Sequence, residues 1–287
     1  MRNFLICTLT LGLIVSCTVE DVDNTIDSSD QNNDKEKFEL FNNLDVAMNG
    51  FDAISEQASV DVQGSSKSFK SSCVSIELLA SNQDNTLPGF DNYDFYSKMI
   101  LDYTEEQCQF DDWSGKVEYY VAGVFNSKWK DSTIFKNVRG DDGYVFDGYR
   151  VAEQNEALSN ETTKVFDVVI DGVITDPNGD SYRYTTDRNF VFENRFTPEE
   201  VITLDESSSL EGINQTFFMR TESLDGAPLV YKIACFDRVN FLKYPVQGSM
   251  DFSSSFDVNF NIDFGDGACD KEVVLTGQNG ESITFDL

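Results

Sequence analysis

"KVFDVVIDGVITDPNGDSYRYTTD", residues 164–187, decides the fold. Two segments alternate apolar and polar side chains on either side of Asp176-Pro177-Asn178-Gly179-Asp180. A period of two sends every second side chain to one face of a strand. The proline fixes φ, the asparagine and glycine accept the left-handed conformation, and the aspartates bond to nearby amides, which together favour a tight reversal. The stretch predicts a β-hairpin, and with it antiparallel pairing.

The same pattern continues in both directions. "GKVEYYVAGVF" (115–125) and "YVFDGYRVAE" (144–153) read as strands before the hairpin. "NFVFENRF" (189–196), "QTFFMRT" (215–221), "PLVYKIACF" (228–236) and "FDVNFNIDF" (256–264) follow it. "KEVVLTGQNGESITFDL" (271–287) forms a last hairpin around Gln278-Asn279-Gly280. Many short strands with no helix between them predict an antiparallel sandwich or barrel. The 24 phenylalanines supply strand-favouring side chains with large buried areas. The expected class is mainly β, a sandwich-like antiparallel domain over residues 59–287. Upstream, Phe38, Phe41, Leu44, Met48, Phe51 and Ile54 recur at spacings of three and four. They predict one amphipathic helix over 36–58 that packs on the sheet, with Asp34 as its N-cap.

The chain begins with one basic residue, Arg2, and an uncharged run, "FLICTLTLGLIV" (4–15). A membrane-spanning helix needs about 20 apolar residues, so this run reads as a secretory signal peptide over 1–16. It ends in Ile14-Val15-Ser16-Cys17, which resembles the lipobox of bacterial lipoproteins. That resemblance implies a lipid on Cys17 and a membrane partner reached through it. Residues 17–35 are acidic, polar and aperiodic, and so predict a flexible tether. Glu20, Asp21 and Asp23 resemble the surface-export signal of Bacteroidetes lipoproteins, and imply an outer-membrane, outward-facing location.

Composition narrows the chemistry. Twenty-one basic against 51 acidic residues leave a net charge of −30. A field of that sign repels phosphate backbones and argues against a nucleic-acid partner. With no histidine, Ser-His-Asp and Cys-His nucleophiles and His-containing zinc sites are excluded. Carboxylate-only chemistry, such as glycoside hydrolysis by an Asp/Glu pair, survives. No catalytic residue and no cofactor is assigned.

Cys73, Cys108, Cys235 and Cys269 remain once Cys7 and Cys17 are set aside. An exported chain meets an oxidising environment, so an even number favours disulfides over free thiols, with three connectivities possible. Aligning Cys108 with Cys269 places "ILDYTEEQCQ" (100–109) opposite "NIDFGDGACD" (261–270), which suggests an internal duplication of the blocks 73–108 and 235–269. Equivalent positions should be bonded alike, which selects Cys73–Cys108 and Cys235–Cys269.

"YPVQGSMDF" and "NIDFGDGACDKEVVLTGQNGESITFDL", with "WSGKVEYYVAGVF" upstream, resemble a group of flavobacterial-type Bacteroidetes β-rich lipoproteins that carry a C-terminal DFGDGxCD signature. The likeness runs over about residues 36–287 and is strongest over 244–287. It implies an exported β-rich lipoprotein and no particular activity.

Three further patterns invite a site. Asp263, Asp266 and Asp270 carry oxygens that calcium accepts, but they lack the EF-hand spacing, and Gly265 and Gly267 suit a tight turn equally well. Asp131-Ser132-Thr133 resembles a Bacteroidetes O-glycosylation site, although a plain loop is the simpler account. Trp113 and Trp129 with Tyr93, Tyr96, Tyr119 and Tyr120 could stack on sugars, although core and rim packing accounts for them more simply. The functional expectation is a surface binding or structural module with a glycan or protein ligand. A carboxylate-dependent glycan-active enzyme and a calcium-stabilised adhesion module are the alternatives.

Overall fold

The computed structural model describes residues 40, 41, 43, 44, 47, 48, 51, 74–79, 96–102, 114–123, 129–140, 143–195, 197–213, 218–235, 244–255 and 258–286. The chain divides into two units, Met1–Glu39 and Leu40–Leu287, and every described residue belongs to the second.

That unit is an antiparallel meander. Its strands are β1 (Val74–Leu79), β2 (Tyr96–Asp102), β3 (Ser114–Gly123), β4 (Trp129–Arg139), β5 (Val145–Gln154), β6 (Thr163–Thr175) and β7 (Ser181–Glu193), then β8 (Val201–Gly212), β9 (Phe218–Ser223), β10 (Leu229–Lys232), β11 (Gln247–Ser254), β12 (Asn259–Asp266), β13 (Glu272–Gly277) and β14 (Ser282–Asp286). All fourteen belong to one hydrogen-bonded sheet, in which each strand from β1 to β8 pairs with the next. Two separately bonded sheets, the usual form of a sandwich, are not what the described strands make. The antiparallel β class stands, and its architecture is one continuous sheet.

The hairpin at the centre follows from its turn. Asp176 Oδ1 accepts the amides of Asn178 and Asp180 at 2.8 and 2.9 Å, and the Asp176 and Gly179 amides donate to Asp180 and Asp176 carbonyls. Thirteen consecutive pairs then run from Thr175↔Ser181 to Thr163↔Glu193. At roughly 3.4 Å per residue these two strands are about 40 Å long.

β9 and β10 share one place in the sheet, between β8 and β11. β9 pairs with the second half of β8 and β10 with the first half. From Glu222↔Ser207 to Leu229↔Leu204 the broken strand advances seven residues while β8 steps back three, so four residues are extruded. The Leu224–Ala227 bridge closes the excursion, and Ser249 bonds to both of its ends.

Alternation assigns one face to the core. In β7, Tyr182, Tyr184, Thr186, Arg188, Phe190 and Phe192 are buried, and β8 buries Ile202, Leu204, Glu206, Ser208 and Leu210. The aromatic side chains cluster. Phe252 stacks on its cross-strand partner Phe260 at 4.4 Å, while Phe166 meets Phe192 edge-on at 5.8 Å. Phe135 and Phe146 meet at 5.2 Å. Gly148 and Gly172 are directly paired, and a Cβ on either would lie within 2.8 Å of the Phe146 ring. The ring thus lies over two bare backbones, the covering of strand glycines by an aromatic seen in curved sheets.

Leu40, Phe41, Asn43, Leu44, Ala47, Met48 and Phe51 have helical backbone, and Phe41, Leu44, Ala47, Met48 and Phe51 are buried. Phe51 lies against Phe135 and Phe146, and Phe41 against Phe252. Phe51 therefore meets the buried face of β4 and β5, and Phe41 that of β11. The remaining positions of 36–58 lie outside the described residues.

Two ion pairs are buried within this apolar face. Arg150 donates to Asp131 at 2.6 Å, and Asp131 also accepts the Trp129 indole N–H at 3.0 Å. Arg188, with a fully buried side chain, donates from Nε to its cross-strand neighbour Glu206 at 3.0 Å and from a terminal nitrogen to the Tyr184 hydroxyl at 3.1 Å. The charges are compensated where they lie, which their desolvation requires.

Candidate functional site

The outward positions are odd-numbered in β5–β8 and even-numbered in β9, and the register aligns them across the sheet. Tyr149, Asp171, Thr185, Ser209 and Arg220 form one row over β5 to β9, each directly opposite the next. Val169, Asp187 and Ser207 form the adjacent row. The ends of the longer row carry large side chains and the middle carries short ones. A trough of about 310 Å³ results, with Tyr149 and Arg220 as walls and Val169, Thr185, Ser207 and Ser209 as the floor.

The run Ser207-Ser208-Ser209 builds this floor by alternation. Ser208 turns inward and donates to Thr186 at 2.7 Å, while the other two hydroxyls face the trough. Ser209 bonds to Thr185 at 2.6 Å, and Arg220 reaches Ser207 at 3.4 Å and Glu222 at 3.0 Å. Arg183 holds Asp171 at 3.1 Å. Val169 is 41 % exposed and supplies the apolar part of the floor. Partial burial and the Asp171 charge, opposed by Arg183, raise the Tyr149 hydroxyl pKa, so the phenol stays neutral and can donate a hydrogen bond.

A second polar cluster lies on the outer face of β2–β4. Glu118 receives Lys136 at 2.6 Å, Lys116 at 3.3 Å and Lys98 at 3.6 Å, and the Tyr120 hydroxyl donates to it at 2.8 Å. Lys116 and Lys136 are direct cross-strand neighbours, an arrangement that repels unless a carboxylate bridges it. Burial alone would raise the Glu118 pKa. The bonds from Lys136, Tyr120 and Lys116 and the charge of Lys98 outweigh it and lower the value to about 2.

The residues singled out by sequence are scattered. Cys235 and Cys269 are bonded, joining the 3-10 turn after β10 to the turn after β12. Cys17, Cys73 and Cys108 lie outside the described residues. Asp263, Asp266 and Asp270 each accept the amide two residues on, from Gly265, Ala268 and Glu272. Gly265 and Gly267 have φ of 89° and 96°, the left-handed backbone that such a turn demands. Lys232 donates to the Gly267 carbonyl at 2.7 Å, and the Gly267 amide bonds to Val246. No group of three metal-ligating side chains occurs among the described residues.

Asp131-Ser132-Thr133 is a correction. The three residues lie in the first half of β4 rather than in a loop, at 4, 0 and 0 % exposure, where no glycosyl group could be attached. Trp129, Tyr119 and Tyr120 are buried, as packing required, and form no open stacking platform. Trp113 and Tyr93 lie outside the described residues, as does the Tyr96 side chain. No known protein family, curated protein or solved structure matches this chain.

Proposed function

We propose that the chain is a lipid-anchored outer-membrane lipoprotein that works at the cell surface as a binding module. The supporting observation is the trough: a straight row of convergent polar side chains on a sheet face that a purely structural strand layer would fill with unrelated charges. The outward positions of β6–β8 carry Asp, Asn, Thr, Ser, Arg and Glu with single valines interspersed, not the continuous apolar band that faces lipid in a membrane barrel. No described helix is long and apolar enough to cross a membrane. Attachment is assigned to a lipid on Cys17 because Ile14-Val15-Ser16-Cys17 resembles a lipobox, with 17–35 read as tether and 36–58 as a helix packed on the sheet.

Asp171 is tied to Arg183 in an open, shallow trough, which favours holding a ligand over hydrolysing one. Metabolic labelling with a radioactive fatty acid tests the anchor. Label should follow the wild-type chain to the membrane fraction and be absent from Cys17→Ser. Label retained by the variant would remove the anchor from this account.

A further inference from the structure

We infer that the trough on β5–β9 is a binding site for a neutral oligosaccharide; this rests on the reading of the chain as a binding module and names the class of its ligand. Four strand spacings separate β5 from β9, so the trough runs about 19 Å across the sheet, the length of an extended chain of several sugars rather than of a single small molecule. Its polar groups are hydroxyls (Tyr149, Thr185, Ser207 and Ser209), two carboxylates, Asp171 and Asp187, and the Arg220 guanidinium, which is paired with Glu222. These accept and donate hydrogen bonds to vicinal ring hydroxyls. Tyr149 and the exposed Val169 supply the apolar contact that the C–H face of a pyranose requires.

Charge selects neutral sugars. Arg183 offsets Asp171 and Glu222 offsets Arg220, so with Asp187 the trough is net negative, and the chain as a whole carries −30; uronates, sulfated glycans and phosphates are therefore disfavoured. A peptide ligand fits less well. The trough crosses strands already paired on both sides, which leaves no edge for strand addition, and it offers no deep apolar pocket for an anchoring side chain.

The test uses the full-length chain in detergent, titrated calorimetrically with neutral hexasaccharides (β-1,4-glucan, β-1,4-mannan, β-1,4-xylan and α-1,4-glucan) and with an oligogalacturonate. Val169→Arg places a large side chain on an already exposed floor position, Tyr149→Ala removes one wall, and Glu193→Gln changes an exposed residue away from the trough. At least one neutral probe should bind, with affinity lowered about tenfold or more by Val169→Arg and by Tyr149→Ala and unchanged by Glu193→Gln. Binding of the oligogalacturonate alone, binding insensitive to both trough variants, or no binding by any probe would overturn the assignment. The reading of the chain as a lipid-anchored surface protein would survive that failure, because it is tested separately at Cys17 and on intact cells. Circular dichroism of each variant separates loss of the site from loss of the fold.

Discussion

Replacing Glu118 with glutamine removes one negative charge where three lysines converge and changes almost nothing in volume. In the folded chain the Glu118 carboxyl is held at about 2, against an ordinary value of 4.5. A shift of that size corresponds to about 3 kcal/mol of stability at neutral pH, as an order of magnitude. The folded pKa is depressed, so this contribution is fully present above pH 4.5 and is lost as the pH falls toward 2. At pH 3 the folded carboxyl is still ionised while the unfolded one is protonated, and less than half of the contribution should remain. Urea unfolding of wild type and Glu118→Gln at pH 7, 5, 4 and 3 measures it. The difference between the two proteins should be about 3 kcal/mol at pH 7 and should shrink steadily below pH 4.5. Taking a difference cancels the many other carboxylates that titrate in the same range. A gap that is the same at pH 3 as at pH 7, or below about 1 kcal/mol throughout, would refute the assignment of Glu118 as the charge that holds Lys98, Lys116 and Lys136 together.

Three other outcomes follow from the same structure. Cys235→Ser with Cys269→Ser opens a loop of 34 residues and should cost roughly 3–4 kcal/mol in urea unfolding, with non-reducing peptide mapping of the wild type recovering the 235–269 linkage. Glu206→Ala removes the carboxylate that compensates Arg188 and should destabilise by about 3–5 kcal/mol, whereas Arg188→Met with Glu206→Leu should cost less than the single change. Because Asp263, Asp266 and Asp270 each close a local turn, the melting temperature should be the same in calcium and in chelator; a rise with calcium would reinstate an ion site there.

What could be read from the sequence was local. The hairpin at 164–187 announced itself because its turn chemistry sits in five consecutive residues and both arms alternate without interruption. β8 carried no such signal. "DESSSLEG" has little strand propensity, and its place in the sheet is set by β7 on one side and by two separate partners on the other. The break between β9 and β10 was hidden for the same reason: Leu224–Pro228 reads as a turn between strands, yet the chain continues in the same direction after it. Register is the missing information. Tyr149 and Arg220 are 71 positions apart and come to face one trough only because four pairings, each set by side chains elsewhere, add up in step. Arg188 and Glu206 meet in the core through one of those pairings, and nothing in their local sequence marks either as buried. Asp131-Ser132-Thr133 misled in the opposite sense, since three polar residues in a row look like a loop until both faces of β4 are seen to be covered. The Gly265–Gly267 turn was legible as a turn from glycine alone, and its carboxylates proved to be part of its geometry.

The central claim is that a sheet with a ligand-binding outer face is displayed by a lipid anchor at the cell surface. Brief protease treatment of intact cells, followed by mass spectrometry of the released peptides, tests it most directly. The account predicts that peptides of this chain, including segments of the 17–35 tether, are released while a periplasmic marker stays intact. Peptides that appear only after the cells are lysed would contradict it.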